Sequence, residues 1–346
     1  MVATRFQPVI QFLQRCVEVG ALLYGLVMLG LALFWLVRPT QSGLMEVSNI
    51  FAIWLFAPLI VLLPLALLLR SLVLRGVVAV LLLLFGLSFA GQLLPRGTAA
   101  SNERPALRLL TFNVLYGNDN ADAVIAAIRA QNPDVVGMQE LSGLVADAIQ
   151  AELAAEYPYQ FLQPAAFDQG MGIISRYPLR ATSRHPNGAW QQATLDMRGT
   201  PVTLLNVHLE APHVDLGWSD GWLRLPEVRT YDATQREWEA GQLFQLVDGT
   251  AGPLVLLGDF NLSDREPLYH AFDARLHDSF RETSWGPGYT FPNQPQRFSG
   301  LPTPLPLVRI DYIWSGGGLS PTHARVSCAG SSDHCLVVAD LVFASP

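Results

Sequence analysis

Several apolar runs in this chain end in residues that can trade protons or hold a cation. LLTFNV carries Asn113, VVGMQE ends on Glu140, LLNVH delivers Asn206 and His208, and LLGDFN delivers Asp259 and Asn261. RIDYIW carries Asp311, and SSDH places Asp333 and His334 just before the run CLVV. A carboxylate and a carboxamide side by side after a buried strand stand where α/β folds gather their chemistry. Each residue also has a plain structural role open to it. Asp259 and Asn261 are ordinary turn residues, Asn113 could cap a turn, and His208 could be a satisfied core histidine. Asp311 is harder to account for, because a buried carboxylate needs a partner. Arg309, two residues earlier on the same face, would supply one as a structural ion pair. Taken jointly, acids, amides and histidines at so many strand ends point to a site.

The elements that must carry these residues can be read in order. Strands are expected at Leu107–Phe112, Asp134–Met138, Met171–Ser175, Ala189–Met197, Pro201–Val207, Pro253–Leu257, Arg309–Trp314, Ala324–Cys328 and Cys335–Phe343. Helices are expected at Ala121–Ala130, at Leu144–Ala155 behind a Ser142 cap, and at Ala233–Val247. Strands and helices mix without strict alternation, which favours a mixed-sheet α/β sandwich over a purely parallel sheet. The proline-rich stretch from Gly286 to Pro306 reads as a long loop, and such loops are often functional.

The first hundred residues are of another kind. Val19–Val37, Ile50–Leu69 and Gly76–Leu94 are apolar runs of about 20 residues, enough to cross a hydrocarbon core of roughly 30 Å as helices. No span contains a central charge, so the spans read as an anchor and not as an ion path. Arg5 and Arg15 precede the first run, Arg70 and Arg75 lie between the second and third, and Arg38 in the other loop is balanced by Glu46. The positive-inside rule then places the N-terminus in the cytoplasm and everything after the third span outside the cell membrane. The division expected is a membrane domain at 1–94, a linker at 95–104 and a catalytic domain at 105–346.

Charge separates the two parts as well. The chain of 346 residues has no lysine, and all 22 basic residues are arginine. Residues 1–96 hold six arginines against Glu18 and Glu46, net +4, and the remainder holds 16 against 27 acids, net −11. An acidic domain is a poor electrostatic match for a nucleic-acid backbone.

The motifs LLTFNV, VVGMQEL, GMGIISRYPL, LLNVHL, LLGDFNLS, RIDYIW and SSDH, in this order, resemble those of the endonuclease/exonuclease/phosphatase superfamily. That superfamily includes DNase I-like nucleases, neutral sphingomyelinases and inositol-polyphosphate 5-phosphatases. The resemblance covers about residues 105–346. It implies a four-layer α/β sandwich (DNase I-like) after three transmembrane helices, and metal-dependent hydrolysis of phosphate esters. It implies Glu140 as the principal Mg²⁺ ligand, with Asn113 beside it and Asp333 completing the carboxylate side, and Mn²⁺ as an alternative ion. Asp259 would orient or deprotonate the attacking water, and Asn261 would position it or a phosphoryl oxygen. His334 would contact the scissile phosphate with Asp311 behind its imidazole, His208 would serve near the leaving group, and Asn206 would support the phosphate. Met171 departs from the pattern, since many members carry Asn there.

Three spans followed by an outward-facing domain of this kind also resemble the VanJ-like bacterial proteins linked to glycopeptide resistance, which act on polyprenyl pyrophosphate. A phosphorylated lipid is therefore the expected substrate, with an extracellular nuclease, a phospholipid phosphodiesterase or a non-enzymatic binding protein as alternatives. HVDLGWSDGWLRLPEVRTY, between His208 and Ala233, is rich in Trp218, Trp222, Leu223 and Leu225, while its Gly, Asp and Pro argue against a regular element. Tryptophan favours the membrane interface, so this stretch is expected either to cover the active site and touch lipid or to pack on the domain. Cys328 and Cys335 bracket the SSDH turn. A bridge between them is allowed outside the cell, but two small buried side chains are the simpler expectation.

Overall fold

A computed structural model describes residues 7–37, 43–97, 106–219, 224, 226–293, 297–298, 301–302 and 305–343. Arg5, Arg38, Arg104, Trp222, Leu223, Leu225 and linker positions 98–104 lie outside the described residues. The chain forms two compact units, 1–91 with 215–231, and 92–214 with 232–346.

In the first unit, two helices are long and apolar enough to cross a membrane, Val9–Val37 within Gln7–Val37, and Leu72–Leu93. The second expected span is not one straight helix. Gly43–Ile50 is followed by a 3-10 turn at Ala52–Phe56 and by the helix Leu59–Leu68, with a bend of 74° on the way. The 74° bend lies between Ile50 and Ala52, where no proline stands. Pro58 caps the start of Leu59–Leu68, where its missing N–H costs no helical bond, and Pro64 sits inside that helix. Hydrogen bonds track this broken element along the first helix. Trp35 Nε1 donates to Ser48 Oγ at 3.0 Å, Tyr24 Oη to Leu55 O at 2.7 Å, and Ser71 Oγ to Glu18 Oε1 at 2.6 Å. The partner on the first helix recedes from Trp35 to Glu18 as the chain advances from Ser48 to Ser71. The broken element therefore runs antiparallel to the first helix over about 25 Å of its length.

The second unit holds two six-stranded mixed sheets. One is ordered Leu319–Ser327, Leu336–Phe343, Leu107–Asn113, Val135–Gln139, Met171–Ser175, Tyr159–Gln163. The other is ordered His277–Asp278, Asp311–Gly316, Leu254–Asp259, Thr200–His208, Trp190–Met197, Leu179–Arg184. Helices Ala121–Gln131 and Gly143–Leu153 cover the outer face of the first sheet, and Thr234–Gly249 with Pro267–Asp273 cover that of the second. Between the sheets lies a core of alternate residues, among them Leu109, Val135, Leu204, Val255, Leu257 and Ile313. Helices, sheet, sheet and helices make four layers, the α/β sandwich expected. Ser142 caps its helix by accepting from Val145 N at 3.3 Å. The sheets approach so closely at Gly137 that a Cβ there would collide with Leu257 Cδ1 and come within 2.8 Å of Asn206 Oδ1. A residue without a side chain is required at this crossing.

Some elements escape the sequence patterns. Leu179–Arg184 is an edge strand of largely exposed residues, and Tyr159–Gln163 forms the edge of the other sheet. The stretch after His208, expected to be irregular, forms a two-stranded ribbon of His213–Trp218 and Pro226–Asp232. Pro95, Arg96 and Gly97, expected to begin a linker, lie in a segment tied to the second unit. Arg96 N donates to Arg281 O at 3.0 Å, Gly97 N to Glu282 O at 2.9 Å, and the Arg96 guanidinium pairs with Asp273 at 2.6 Å.

Candidate active site

Period-two alternation brings the polar strand ends together. Residues facing the space between the sheets are apolar at depth, and the same face turns polar at its rim. Val255 and Leu257 lead outward to Asp259, Ile313 leads to Asp311, and Val202 and Leu204 lead to Asn206 and His208. Register then aligns them: Asp259 is the direct strand partner of His208 on one side and of Asp311 on the other. On the opposite sheet, Asn113 is level with Gln139. Glu140 follows Gln139 with φ +56°, a left-handed conformation that is uncommon outside glycine, and Asn261 has φ +49°. The turn Ser332–His334 enters from the hairpin before Leu336–Phe343. Ser332 Oγ anchors it by donating to Asn113 O at 2.6 Å.

His334 is buried between two carboxylates. Its Nδ1 hydrogen-bonds Asp311 Oδ2 at 2.9 Å, and its Nε2 lies 3.7 Å from Asp259 Oδ2. Burial disfavours the imidazolium, but the Asp311 and Asp259 carboxylates outweigh it and push the histidine up to about 10. The two carboxylates thus favour the protonated His334, whereas only its neutral imidazole could offer a nitrogen to a metal ion. Asp259 is pushed up to about 6, by burial first and by the Asp311 charge second, against the pull of His334 and His208. His208 Nε2 lies 3.9 Å from the same Asp259 Oδ2, and Asn113 Nδ2 donates to it at 3.1 Å. The other oxygen, Asp259 Oδ1, accepts from Asn261 N at 2.9 Å.

A cleft of about 270 Å³ opens on this group, lined on one side by Glu140, His208, Asp259, Asn261, Asp333 and His334. Glu140 is held by Asn113 Nδ2 at 2.9 Å and by Tyr116 N at 3.2 Å. The Asp333 carboxyl is raised, by burial first and by Glu140 in part, against His334. Asp259, Asp311 and His334 each offer a ligand atom, all within 4.8 Å of one another, so this group can hold a divalent metal ion. Three observations fit a hard cation here. Most of the donors are carboxylate oxygens. Glu140, Asp259 and Asp333 line the cleft, with Asp311 behind His334, and no arginine lines it among the described residues. Asp311 Oδ1 is buried without a hydrogen-bond partner among them.

Other residues stand elsewhere than expected. Asn206 is wholly buried and does not line the cleft. Its Nδ2 donates to Met138 O, Gly172 O and Gln191 Oε1 at 3.0, 3.2 and 3.1 Å, and its Oδ1 accepts from Gln139 Nε2 at 2.6 Å. It ties the two sheets together, with both ends of the amide engaged by protein. Asn113 is also fully buried. Its nitrogen faces Glu140 and Asp259, while its oxygen, the atom that would ligate a cation, accepts from Leu115 N at 3.1 Å. It positions the two acids. Arg309 does not pair with Asp311. It pairs with Asp278 at 2.8 Å and Asp264 at 3.3 Å, leaving Asp311 to His334. Met171 is buried opposite Gln139 in the sheet and does not line the cleft. Cys328 and Cys335 are not two reduced side chains but a disulfide, with Cα atoms 4.1 Å apart. The reason is register: Ser327 pairs with Leu336, so the next two residues outward face each other across the hairpin.

Several residues around the cleft belong to no sequence motif. Phe291 packs its ring on His334 with centroids 4.8 Å apart, and Thr290 Oγ1 accepts from Ile310 N and Asp311 N at 3.2 and 3.3 Å. Both lie in the proline-rich stretch read as a loop, and that was their only signal. Asp168, Asn187, Glu210 and Glu239 also line the cleft, from separate loops and from the helix Thr234–Gly249.

Known proteins give this geometry a family. The model of the Endonuclease/Exonuclease/phosphatase family matches residues 110–334. No curated protein matches the chain. Among solved structures, D. rerio TDP2 complexed with a single-strand DNA product is similar with a TM-score of 0.52 and 16% identity, over 68% of this chain and 98% of that one. The endonuclease/exonuclease/phosphatase from Bacteroides vulgatus gives 0.51 and 18%, over 68% and 98%. A family protein from Leptotrichia buccalis C-1013-b gives 0.50 and 17%, over 68% and 100%. At such identities the likeness is one of fold. The family match itself runs from the strand of Asn113 to His334, most of the chain and every acid and histidine at the rim. On that match the chain belongs to the endonuclease/exonuclease/phosphatase family of phosphoesterases.

Proposed function

We propose that this chain is a membrane-anchored, metal-dependent phosphohydrolase that acts on a lipid phosphate ester or pyrophosphate, such as polyprenyl pyrophosphate, at the outer membrane face. The observation that carries the chemistry is the set His334, Asp311, Asp259 and His208 at one rim, with Glu140 and Asp333 beside it. A Mg²⁺ ion held by Glu140 and Asp333 would neutralise phosphoryl oxygens and make water more acidic. Asp259, ionised at neutral pH, takes the proton of the attacking water. His334 presents its Nε2–H to a phosphoryl oxygen, kept cationic and aligned by Asp311 on Nδ1. His208, which lines the same cleft, would serve the leaving oxygen. Asn261, fixed by Nδ2 donating to Leu209 O at 2.9 Å, would position the water or a phosphoryl oxygen.

Three features support the lipid and the location. The first helix, the broken element and Leu72–Leu93 make three crossings if the antiparallel hydrogen-bond ladder along the first helix is a full return. Arg70 and Arg75 then lie at the same end as Arg15, which the positive-inside rule assigns to the cytoplasm. The catalytic domain follows outside, where the Cys328–Cys335 disulfide is stable. An acidic cleft wall of Asp168, Glu210 and Glu239 opposes a polyanion, which weighs against a nuclease. The test is phosphate release by the purified full chain from undecaprenyl pyrophosphate, a phospholipid and DNA in parallel, with Mg²⁺ and with chelator. Mg²⁺-dependent release from the polyprenyl substrate that Asp259→Asn abolishes supports the reading. Faster cleavage of DNA overturns it.

A further inference from the structure

The ribbon His213–Trp218 with Pro226–Asp232 has a sidedness that the catalytic reading does not use. Gly217 and Arg229 share a face, because a Cβ on Gly217 would collide with the Arg229 guanidinium. Side chains alternate along a strand, so Leu216 and Trp218 share the opposite face with Val228. Leu216 is 53% and Trp218 59% exposed. A two-stranded ribbon is marginally stable alone, and an apolar face on it calls for a cover.

The ribbon's neighbour says what covers it. Residues 215–231 cluster with the apolar helices and not with the sandwich. Val228 Cγ1 and the backbone of Thr230 and Tyr231 lie against Gly43, where a Cβ would come within 3.2 Å of the first and 2.9 Å of Tyr231 N. Gly43 opens the helix that follows Val37, the last residue of the first apolar helix, so it stands at the end of a span. The face that meets Gly43 is the one that carries Leu216 and Trp218.

We propose that this face of the ribbon, Leu216 and Trp218, lies in the interfacial zone of the bilayer and anchors the chain that follows His208 at the lipid surface. The inference rests on the reading that the apolar helices cross a membrane. It brings a second contact with lipid close in sequence to the site, since the ribbon begins at His213, just after the strand that ends on His208.

The test uses the full chain with Cys16→Ser, which removes the one free cysteine among the described residues and leaves the disulfide. Leu216→Cys is labelled with an environment-sensitive fluorophore, and the protein is placed in phosphatidylcholine–phosphatidylglycerol vesicles. Leu26→Cys, on an exposed position of the first helix, is the control for the helices. Lipids with a nitroxide at the headgroup should cause loss of fluorescence at position 216, with blue-shifted emission and weak quenching by aqueous iodide. Quenching by iodide with no effect of nitroxide lipid overturns the proposal, and so does shielding from both, which would mean a protein cover such as a second copy. Failure of the Leu26 control to respond to deep-chain nitroxide sinks the membrane reading itself, a distinct result.

Discussion

His334 is suspended between two acids: its Nδ1 bonds Asp311 at 2.9 Å, and its Nε2 faces Asp259 at 3.7 Å. Asp311 does not line the cleft, so its effect on a substrate passes through the histidine it holds. Asp311→Asn keeps a side chain of the same shape but removes the charge that favours the imidazolium. We expect kcat to fall by about 10²-fold or more, the usual weight of an acid–base contact, with KM little changed. Steady-state kinetics on a soluble phosphodiester, beside thermal unfolding to show an intact fold, decides this. A variant within about twofold of the parent would remove Asp311 from the site.

Asn206 makes the opposite prediction. Its hydrogen bonds join strands of both sheets. Asn206→Leu leaves buried partners on Gln139 and Gln191 unmatched, at a cost of about 2–4 kcal/mol in urea unfolding. Per folded molecule, KM for a small phosphoester should not move. A raised KM with unchanged stability would return Asn206 to the substrate.

The contrast between Asn206 and His208 marks how far the sequence could be read. Both lie on the inner face of one strand, and period two assigns them the same side. What differs is depth: His208 is at the rim where the sheets part, while Asn206 lies below it, where Gly137 brings the sheets together. Depth depends on the packing of a second sheet, which no local pattern encodes. Strand ends at Asn113, Asp259 and Asp311 were legible because apolar runs stop there and polar residues follow. Arg309 has a different partner from the one its spacing suggested, because Asp278 and Asp264 come from segments distant in sequence. Phe291 and Glu210 were not legible, since a single aromatic in a loop or an acid after a strand carries no period. The bend between Ile50 and Ala52 was not legible, since it falls within apolar residues with no proline or glycine to mark it.

The disulfide closes a short loop that holds Asp333 and His334. Without reductant, alkylation should add mass at Cys16 alone, and after reduction and unfolding at all three cysteines. Cys328→Ser is the milder variant, because Cys328 is exposed and Cys335 is buried. Opening a loop of this size should cost about 2 kcal/mol. It should also lower kcat, as the turn that aims His334 gains freedom. Alkylation of every cysteine in the unreduced native protein would refute the bridge.

Asp278 gives a stability prediction with a definite direction in pH. It accepts from Arg309 at 3.0 and 2.8 Å, from Tyr269 Oη at 2.8 Å, and from Phe280 N and Arg281 N at 3.1 Å. Burial would raise its carboxyl, but Arg309 and these donors prevail and hold it below the ordinary range. A group depressed in the folded state stabilises the fold above its unfolded pKa, about 4, and loses that contribution as pH falls through the lower folded value. The parent should therefore lose stability steeply below about pH 4, and Asp278→Asn less steeply. At neutral pH the variant should be weaker by about 3–5 kcal/mol, the cost of leaving a buried cation short of its partner, reduced to the extent that Asp264 compensates. Urea unfolding of both proteins at neutral and acid pH measures the two slopes. Equal slopes would mean that the Arg309–Asp278 pair does not govern acid unfolding, and other buried acids, Asp264 first, would have to carry it.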